Sequence, residues 1–336
     1  MNRSAKAVSA LLLAGVFAVP FGLHRITSKL ESEVMNNALE GKICELDSAY
    51  GPAEIVIAGD SRAQYHLIPD IFEKSLRVEA VNIGAIPGDL IALYNAIRKY
   101  PRLLSRAKLL IISIGIYQIN DGGLNYYSFS TAAFANLGLL DQWGLYGTRL
   151  FALQEKYREA FRIYRRLEWK GERFCCGDYW SAEYSAVPQK GFVGIPGVWD
   201  RNLNGTLNTN PWYSGLDIHG YRWKQFRGTL RKFQDLGVPV VLYQSPYSPT
   251  WLGSPSTAVA ASAEKEFGKM MKSETAGLRN IHFLDFYASR NDSLSDSMFF
   301  DSAHLNTRGA GIFSRMFIAR LQSEKLQAEP VFADSV

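Results

Sequence analysis

The stretch Lys108-Leu-Leu-Ile-Ile-Ser-Ile114 constrains the fold more than any other part of the chain. A nearly unbroken apolar run has no polar face to offer water, so a strand made from it has to be covered on both sides, as strands of parallel sheets are. Four more short runs share its character: Glu54-Ile-Val-Ile-Ala58, Val78-Glu-Ala-Val-Asn-Ile83, Val238-Pro-Val-Val-Leu-Tyr243 and Ile281-His-Phe-Leu-Asp-Phe286. Segments with helical spacing lie between and after them, at residues 65–76, 89–100, 220–236, 258–272 and 307–321. Pro87 suits a helix start, and Pro101 and Gly237 suit helix ends. Strands alternating with helices in this way predict a three-layer α/β/α fold, doubly wound around a central parallel sheet of about five strands.

The alternation fails between about 122 and 215. With 336 residues, the chain can build one large α/β core and still carry an insertion of that size. Aromatic residues make up 13% of the chain, and many of them fall here, among them Tyr126, Tyr127, Trp143, Tyr179, Trp180 and Trp199. They either pack a cap with little regular structure or form a platform on which sugar rings or an acyl chain can lie. The insertion is expected over the active-site end of the sheet.

Residues 7–23 are apolar and are flanked by Arg3 and Lys6 on one side and His24 and Arg25 on the other. The run is slightly short for a span of about 20 residues and long for the apolar core of a signal peptide, about 7–15. No clear Ala-x-Ala cleavage site follows it, so an uncleaved signal anchor is preferred to a cleaved signal, with the bulk of the chain on the extracytoplasmic side. The expected organisation is an anchor over 1–25, a polar stalk over 26–50, the catalytic domain with its insertion over 51–325, and a tail over 326–336.

Chemistry enters where the first strand ends, at Gly59-Asp60-Ser61. Gly59 allows a sharp turn, and Ser61 can cap the helix that follows, beside N–H groups that would stabilise an oxyanion. Such a triplet also serves as ordinary strand-to-helix punctuation. A second site lies far away in sequence, at Asp301-Ser-Ala-His304. On one helical turn, residues three apart face each other, so the carboxylate can fix the imidazole tautomer and leave the other ring nitrogen to take the Ser61 proton. Alone, Asp-x-x-His can equally be a helix cap with a surface histidine.

These blocks resemble those of the SGNH, or GDSL-type, hydrolase superfamily. Gly59-Asp60-Ser61 resembles its first block, with Ser61 as nucleophile. Asn82-Ile-Gly-Ala-Ile-Pro-Gly88-Asp89 resembles its second, and places the oxyanion N–H on Gly88, beside that of Ser61. Asp301-x-x-His304 resembles its last, with Asp301 and His304 as acid and base. The third block departs from the family's Gly-x-Asn-Asp: this chain has Gly115-Ile-Tyr117-Gln118, with Asn120-Asp121 arriving later. Asn120 or Gln118 substitutes for the missing asparagine, or that donor is absent, which typically costs about 3 kcal/mol of transition-state stabilisation. The resemblance implies a flavodoxin-like fold, no cofactor, and a serine esterase or O-acyltransferase. Membrane-anchored relatives often add or remove acetyl groups on cell-envelope or secreted polysaccharides, so an acylated polysaccharide or other ester is the expected substrate. A membrane-bound partner that delivers the acyl group is compatible with that setting.

Other classes fit less well. The segment Gly59-Asp-Ser-Arg-Ala63 nearly matches the nucleophile turn of α/β-hydrolases, but it ends in alanine, follows the first strand, and pairs with an acid only three residues from the base. A non-catalytic accessory subunit that binds glycan or a membrane partner is the alternative from a different class; Tyr117 favours it, and the intact Ser61, Asp301 and His304 oppose it. The net charge of +5 comes without aromatic-basic repeats, so no nucleic-acid partner is expected. Cys44, Cys175 and Cys176 form no framework; Cys44 could bridge to one of the adjacent pair in an oxidising compartment. No metal-ligand or nucleotide-binding spacing is present.

Overall fold

Five strands, β1 (Ile55–Ala58), β2 (Ala80–Asn82), β3 (Leu109–Ile114), β4 (Val240–Gln244) and β5 (Ile281–Asp285), pair in parallel in the order β2-β1-β3-β4-β5. The parallel, doubly wound sheet is what the alternating pattern predicts, and its order is the flavodoxin-like one. The structure is a computed structural model that describes residues 39, 42–85, 90–120, 189–198, 217–287 and 294–326, all within one compact unit. The apolar run 7–23, Gly88, Cys175, Cys176 and most of the aromatic segment lie outside the described residues. No helix among the described residues is long and apolar enough to cross a membrane.

Alternation along each strand sorts its side chains into two cores. Val56, Leu110, Ile112, Val240 and Leu242 face one side of the sheet, where α3 (Leu90–Lys99), α4 (Tyr221–Phe233) and α6 (Ala258–Thr275) cover them. Ile55, Ile57, Leu109, Ile111, Val241 and Tyr243 face the other, beneath α1 (Ser61–His66), α2 (Pro69–Leu76) and α7 (Thr307–Ser323). All six residues of β3 are buried, as its sequence requires. A short helix, α5 (Pro249–Gly253), follows β4 and is capped by Ser248.

The chain leaves β1, builds β2 on one side of it and then returns to build β3 on the other. Connections therefore diverge at the C-terminal ends of β1 and β3 and open a crevice, the usual position of a ligand site in such sheets. Ser61 follows β1 directly, and the 3₁₀ turn Ile116–Gln118 follows β3.

Two expectations change. The helix expected over 65–76 is two helices, α1 and α2, because Leu67 and Ile68 are extended and Pro69 restarts the helix at its first turn. Residues 189–198, part of the segment where the alternation fails, meet the C-terminal end of β2, α1 and the start of α7. Asn82 N–H donates to Lys190 O (2.8 Å), Val193 N–H to Gln64 O (3.1 Å) and Thr307 N–H to Ile195 O (3.0 Å), while Phe192 and Val193 are buried. This strap joins the C-terminal end of β2 to α1 and α7.

The second change concerns the stalk. Residues 42–50 are helical, and Leu39, Ile43 and Leu46 are buried in the main core, so the domain begins before residue 42 rather than at 51. Lys42 is fully buried and donates to Gly84 O. Burial pushes its ammonium down to about 7, with the charge of Glu45 opposing the shift. Above that pH, the folded chain holds Lys42 neutral while the unfolded chain stays protonated up to its ordinary value near 10.5. The unfolded state then binds the extra proton, so stability rises with pH through this window and is lost as pH falls back to 7. Urea titrations from pH 7 to 9 are expected to gain about 1.4 kcal/mol per unit in the wild type, a gain absent from Lys42→Met.

Candidate active site

The turn from β1 into α1 presents the nucleophile candidate. Asp60, not Ser61, is the N-cap: its Oδ1 accepts from Arg62 N–H (3.0 Å) and Ala63 N–H (3.4 Å), which leaves Ser61 at the first helical position. Among the bonds of the described residues, none takes the Ser61 N–H, whereas its two successors are capped. Gly59 lies at φ +118°, and a Cβ there would sit 2.6 Å from Ser113 O and 2.8 Å from Ser113 N on β3. Only glycine lets the chain pass so close to the neighbouring strand and still turn.

The far block arrives on the loop before α7. Residues 301–304 are not a helical turn: Phe299 and Leu305 form an antiparallel bridge, and Phe300 N–H donates to His304 O (2.8 Å). Asp301 shapes the tip, its Oδ1 accepting from both Ala303 N–H and His304 N–H at 2.8 Å. Its other oxygen, Oδ2, accepts from His304 Nδ1 at 2.7 Å. With Nδ1 protonated toward the carboxylate, Nε2 is the acceptor, and it lies 2.8 Å from Ser61 Oγ. The three residues named from sequence are thus joined in one hydrogen-bonded row across the 243 positions that separate Ser61 from His304.

Electrostatics keep this row poised. Burial raises the Asp301 carboxyl, but the hydrogen bond and charge of His304 and the two backbone N–H groups outweigh it and hold the group down at about 2. Asp301 is therefore ionised at neutral pH and fixes the tautomer of His304. The His304 and Asp301 side chains remain 27% and 35% exposed, so the row is open to an incoming molecule. The Tyr65 ring packs edge-on against His304, 5.5 Å between centroids.

Each third-block candidate has a structural task. Tyr117 donates its hydroxyl to Asp60 Oδ2 at 2.5 Å and accepts from Gln118 Nε2 at 3.2 Å. Burial, then the Asp60 charge, raises the Tyr117 hydroxyl well above its ordinary value, so it remains a donor. Asn120 is buried, and its Oδ1 accepts from Asp217 N–H at 2.9 Å, joining the two roots of the long segment between them. Asp60 is consequently held from both sides, by the backbone of α1 and by Tyr117.

Sequence reasoning missed the support behind the row. Arg62 is buried, donates to Tyr247 OH and stacks its guanidinium 4.6 Å above the Tyr247 ring. Tyr247 donates on to Glu264 Oε1 (2.6 Å), and Gln244 Nε2 donates to Glu264 Oε2 (2.6 Å). A buried arginine of α1 and a buried glutamate of α6 are thereby bridged through one phenol. Ser248 N–H donates to Ser302 O (3.1 Å), so the loop after β4 also steadies the Asp301 turn. Asn82 does the same for the second block: its Nδ2 donates to Ala63 O and Leu67 O, and its Oδ1 accepts from Gly84 N–H. Its position before Ile83-Gly84 was the available signal. His66, fully buried beneath His304, was missed as well. Among the described residues, no group of His, Cys, Asp and Glu is arranged to hold a metal. No protein-family model matches the chain, and no curated protein matches it.

Proposed function

We propose that this protein is a serine acyl-ester hydrolase or O-acyltransferase of the type its motifs resemble. The observation that carries the reading is the row Ser61 Oγ, His304 Nε2/Nδ1, Asp301 Oδ2, with links of 2.8 and 2.7 Å. In this reading the Ser61 proton passes to His304 Nε2 as Oγ attacks the acyl carbonyl. The uncapped Ser61 N–H faces the developing oxyanion, with Gly88 as the second donor implied by the motif. His304 then returns the proton to the leaving alkoxide, and the acyl group remains on Ser61. Water or an acceptor hydroxyl, deprotonated by His304, takes the acyl group and restores the serine. Asp301 stays ionised throughout and holds the imidazolium in place.

The substrate proposed is an acylated, in particular acetylated, cell-envelope or secreted polysaccharide. That choice rests on the resemblance and on the apolar run ahead of the domain, which fits an anchor holding the site on the extracytoplasmic side. The test is labelling of the full chain, kept in detergent, with a fluorophosphonate probe. Stoichiometric labelling at Ser61 that Ser61→Ala and His304→Ala both abolish is the expected result. A folded chain that takes up no probe and does not turn over p-nitrophenyl acetate overturns the reading and leaves the accessory, glycan-binding alternative. Once labelling is established, acyl transfer to added oligosaccharides separates transferase from hydrolase.

A further inference from the structure

The six residues of α1 touch the far block at both ends. Ser61, at its first position, reaches His304 Nε2. His66, at its last, accepts the N–H of Leu305, the residue after His304, on its own Nε2 at 3.1 Å. Leu305 is itself locked in the bridge to Phe299. The His66 and His304 rings meet nearly edge-on, 6.2 Å between centroids and 73° between planes, and Phe313 of α7 closes the other side of His66 at 6.0 Å. The anchorage continues into α7, where Ser314 Oγ accepts from Ile68 N–H (3.0 Å).

An imidazole that accepts at Nε2 has to carry its proton on Nδ1 if it is neutral. The His66 Nδ1 faces the Ala303 backbone without a hydrogen bond of ordinary geometry among the described residues. Burial, then the positive charges that His304 and Arg62 can present, push His66 well below its ordinary value, and the opposing pull of Asp301 is smaller. These three are the titratable groups that face it, from the 301–304 turn and from its own helix; Phe313 and Ser314, from α7, are uncharged. A second cation here would compete with the imidazolium that His304 becomes during acyl transfer, and it would also lose the lone pair that holds Leu305.

Resting on the acyl-transfer reading, we propose that His66 is a positioning residue for His304: an imidazole whose Nε2 fixes the Leu305 main chain, so that one short helix registers both nucleophile and base. The role is separable from simple packing. Leucine keeps most of the volume but offers no acceptor. Glutamine places its amide oxygen the same number of bonds from the backbone as Nε2 and can accept from Leu305 N–H.

The experiment compares His66→Leu and His66→Gln with wild type in the full chain, by p-nitrophenyl acetate kinetics, fluorophosphonate labelling rate and thermal melting. His66→Leu is expected to lower kcat and the labelling rate by about tenfold to a hundredfold, with KM changed by no more than about twofold, because the base is misplaced rather than removed. His66→Gln should recover to within about fivefold of wild type. Nitrogen NMR of histidine-labelled wild type should find His66 neutral, with its proton on Nδ1, from pH 8 down to pH 5.5.

His66→Leu labelling as fast as wild type overturns the proposal, as does His66→Gln remaining as slow as His66→Leu while melting with wild type. A His66 that carries its proton on Nε2, or titrates like an exposed histidine, overturns it even if His66→Leu fails to fold. A wild-type chain that never labels removes the acyl-transfer reading and this role together. That result differs from labelled wild type with an indifferent His66, which removes this role alone.

Discussion

Asp301→Asn is expected to lower kcat for p-nitrophenyl acetate by about 10⁴-fold while leaving the site nearly undisturbed, and Ser61→Ala by about 10⁶-fold. The asparagine result follows from how Asp301 is held. Its Oδ1 accepts two backbone N–H groups, from Ala303 and His304, and its Oδ2 accepts from His304 Nδ1. An amide in this position keeps its oxygen on the two backbone donors, since an NH₂ there would meet N–H groups head-on. The NH₂ is then turned toward His304 Nδ1, which has to become the acceptor. The ring proton moves to Nε2, and His304 can no longer take the Ser61 proton although every heavy atom stays in place. Because the residues act as a unit, Ser61→Ala combined with Asp301→Asn should be no slower than Ser61→Ala alone. Asp301→Asn within tenfold of wild type would sink the triad assignment. Asp301 is held near 2, so its protonation contributes nothing to the acid limb of kcat/KM above about pH 4. A limb with a slope of about one, set by a single group, is the expected profile.

What could be read from the sequence, and what could not, divides along physical lines. β3 was legible because burial on both faces leaves a composition that no exposed element shares. That Ser61, Asp301 and His304 belong together was legible because the proposed acyl transfer needs those residue types, and short blocks carry them. Spacing nevertheless misassigned the local structure. Asp301 and His304 meet through a turn that the aspartate itself builds with the backbone, and that turn brings together the same pair a helix would have. Charged and titratable residues were the least legible. Lys42, Arg62, Glu264 and His66 all look like surface residues along the chain, yet all are buried. What pays for their burial lies far away in sequence: Tyr247 for Arg62, Leu305 for His66. Nothing in a local window distinguishes a solvated arginine from one that stacks on a tyrosine 185 positions later. The stalk was misread for the same reason, since its last turns bury Ile43 and Leu46 but share a helix with polar residues that resemble a solvated face.

Gly59→Ala is expected to cost the chain heavily in stability. Two costs coincide there. The backbone sits at φ +118°, where an L side chain is strained by about 1–3 kcal/mol. The new methyl would also lie 2.6 Å from Ser113 O and 2.8 Å from Ser113 N, atoms of the central strand β3 that cannot swing away as a flexible side chain would. Overpacking of that kind typically costs a further 1–3 kcal/mol or so, giving a loss of about 4 kcal/mol in total, a large fraction of the roughly 5–15 kcal/mol by which domains are stable. Gly51 and Gly237 provide the internal control. Their φ values, +70° and +69°, are also left-handed, but a Cβ at either would meet nothing within 4 Å. Gly51→Ala and Gly237→Ala should therefore cost only about 1 kcal/mol each. Urea denaturation of the three variants decides the matter. Equal losses would mean that backbone conformation alone sets the requirement at Gly59. A loss at Gly59 larger than the roughly 1–3 kcal/mol its backbone strain accounts for would show that the turn into Ser61 depends on the close contact between β1 and β3. If Gly59→Ala still folds, its fluorophosphonate labelling should fall as well, because relieving the Ser113 contact moves Asp60 and, with it, the cap that orients Ser61.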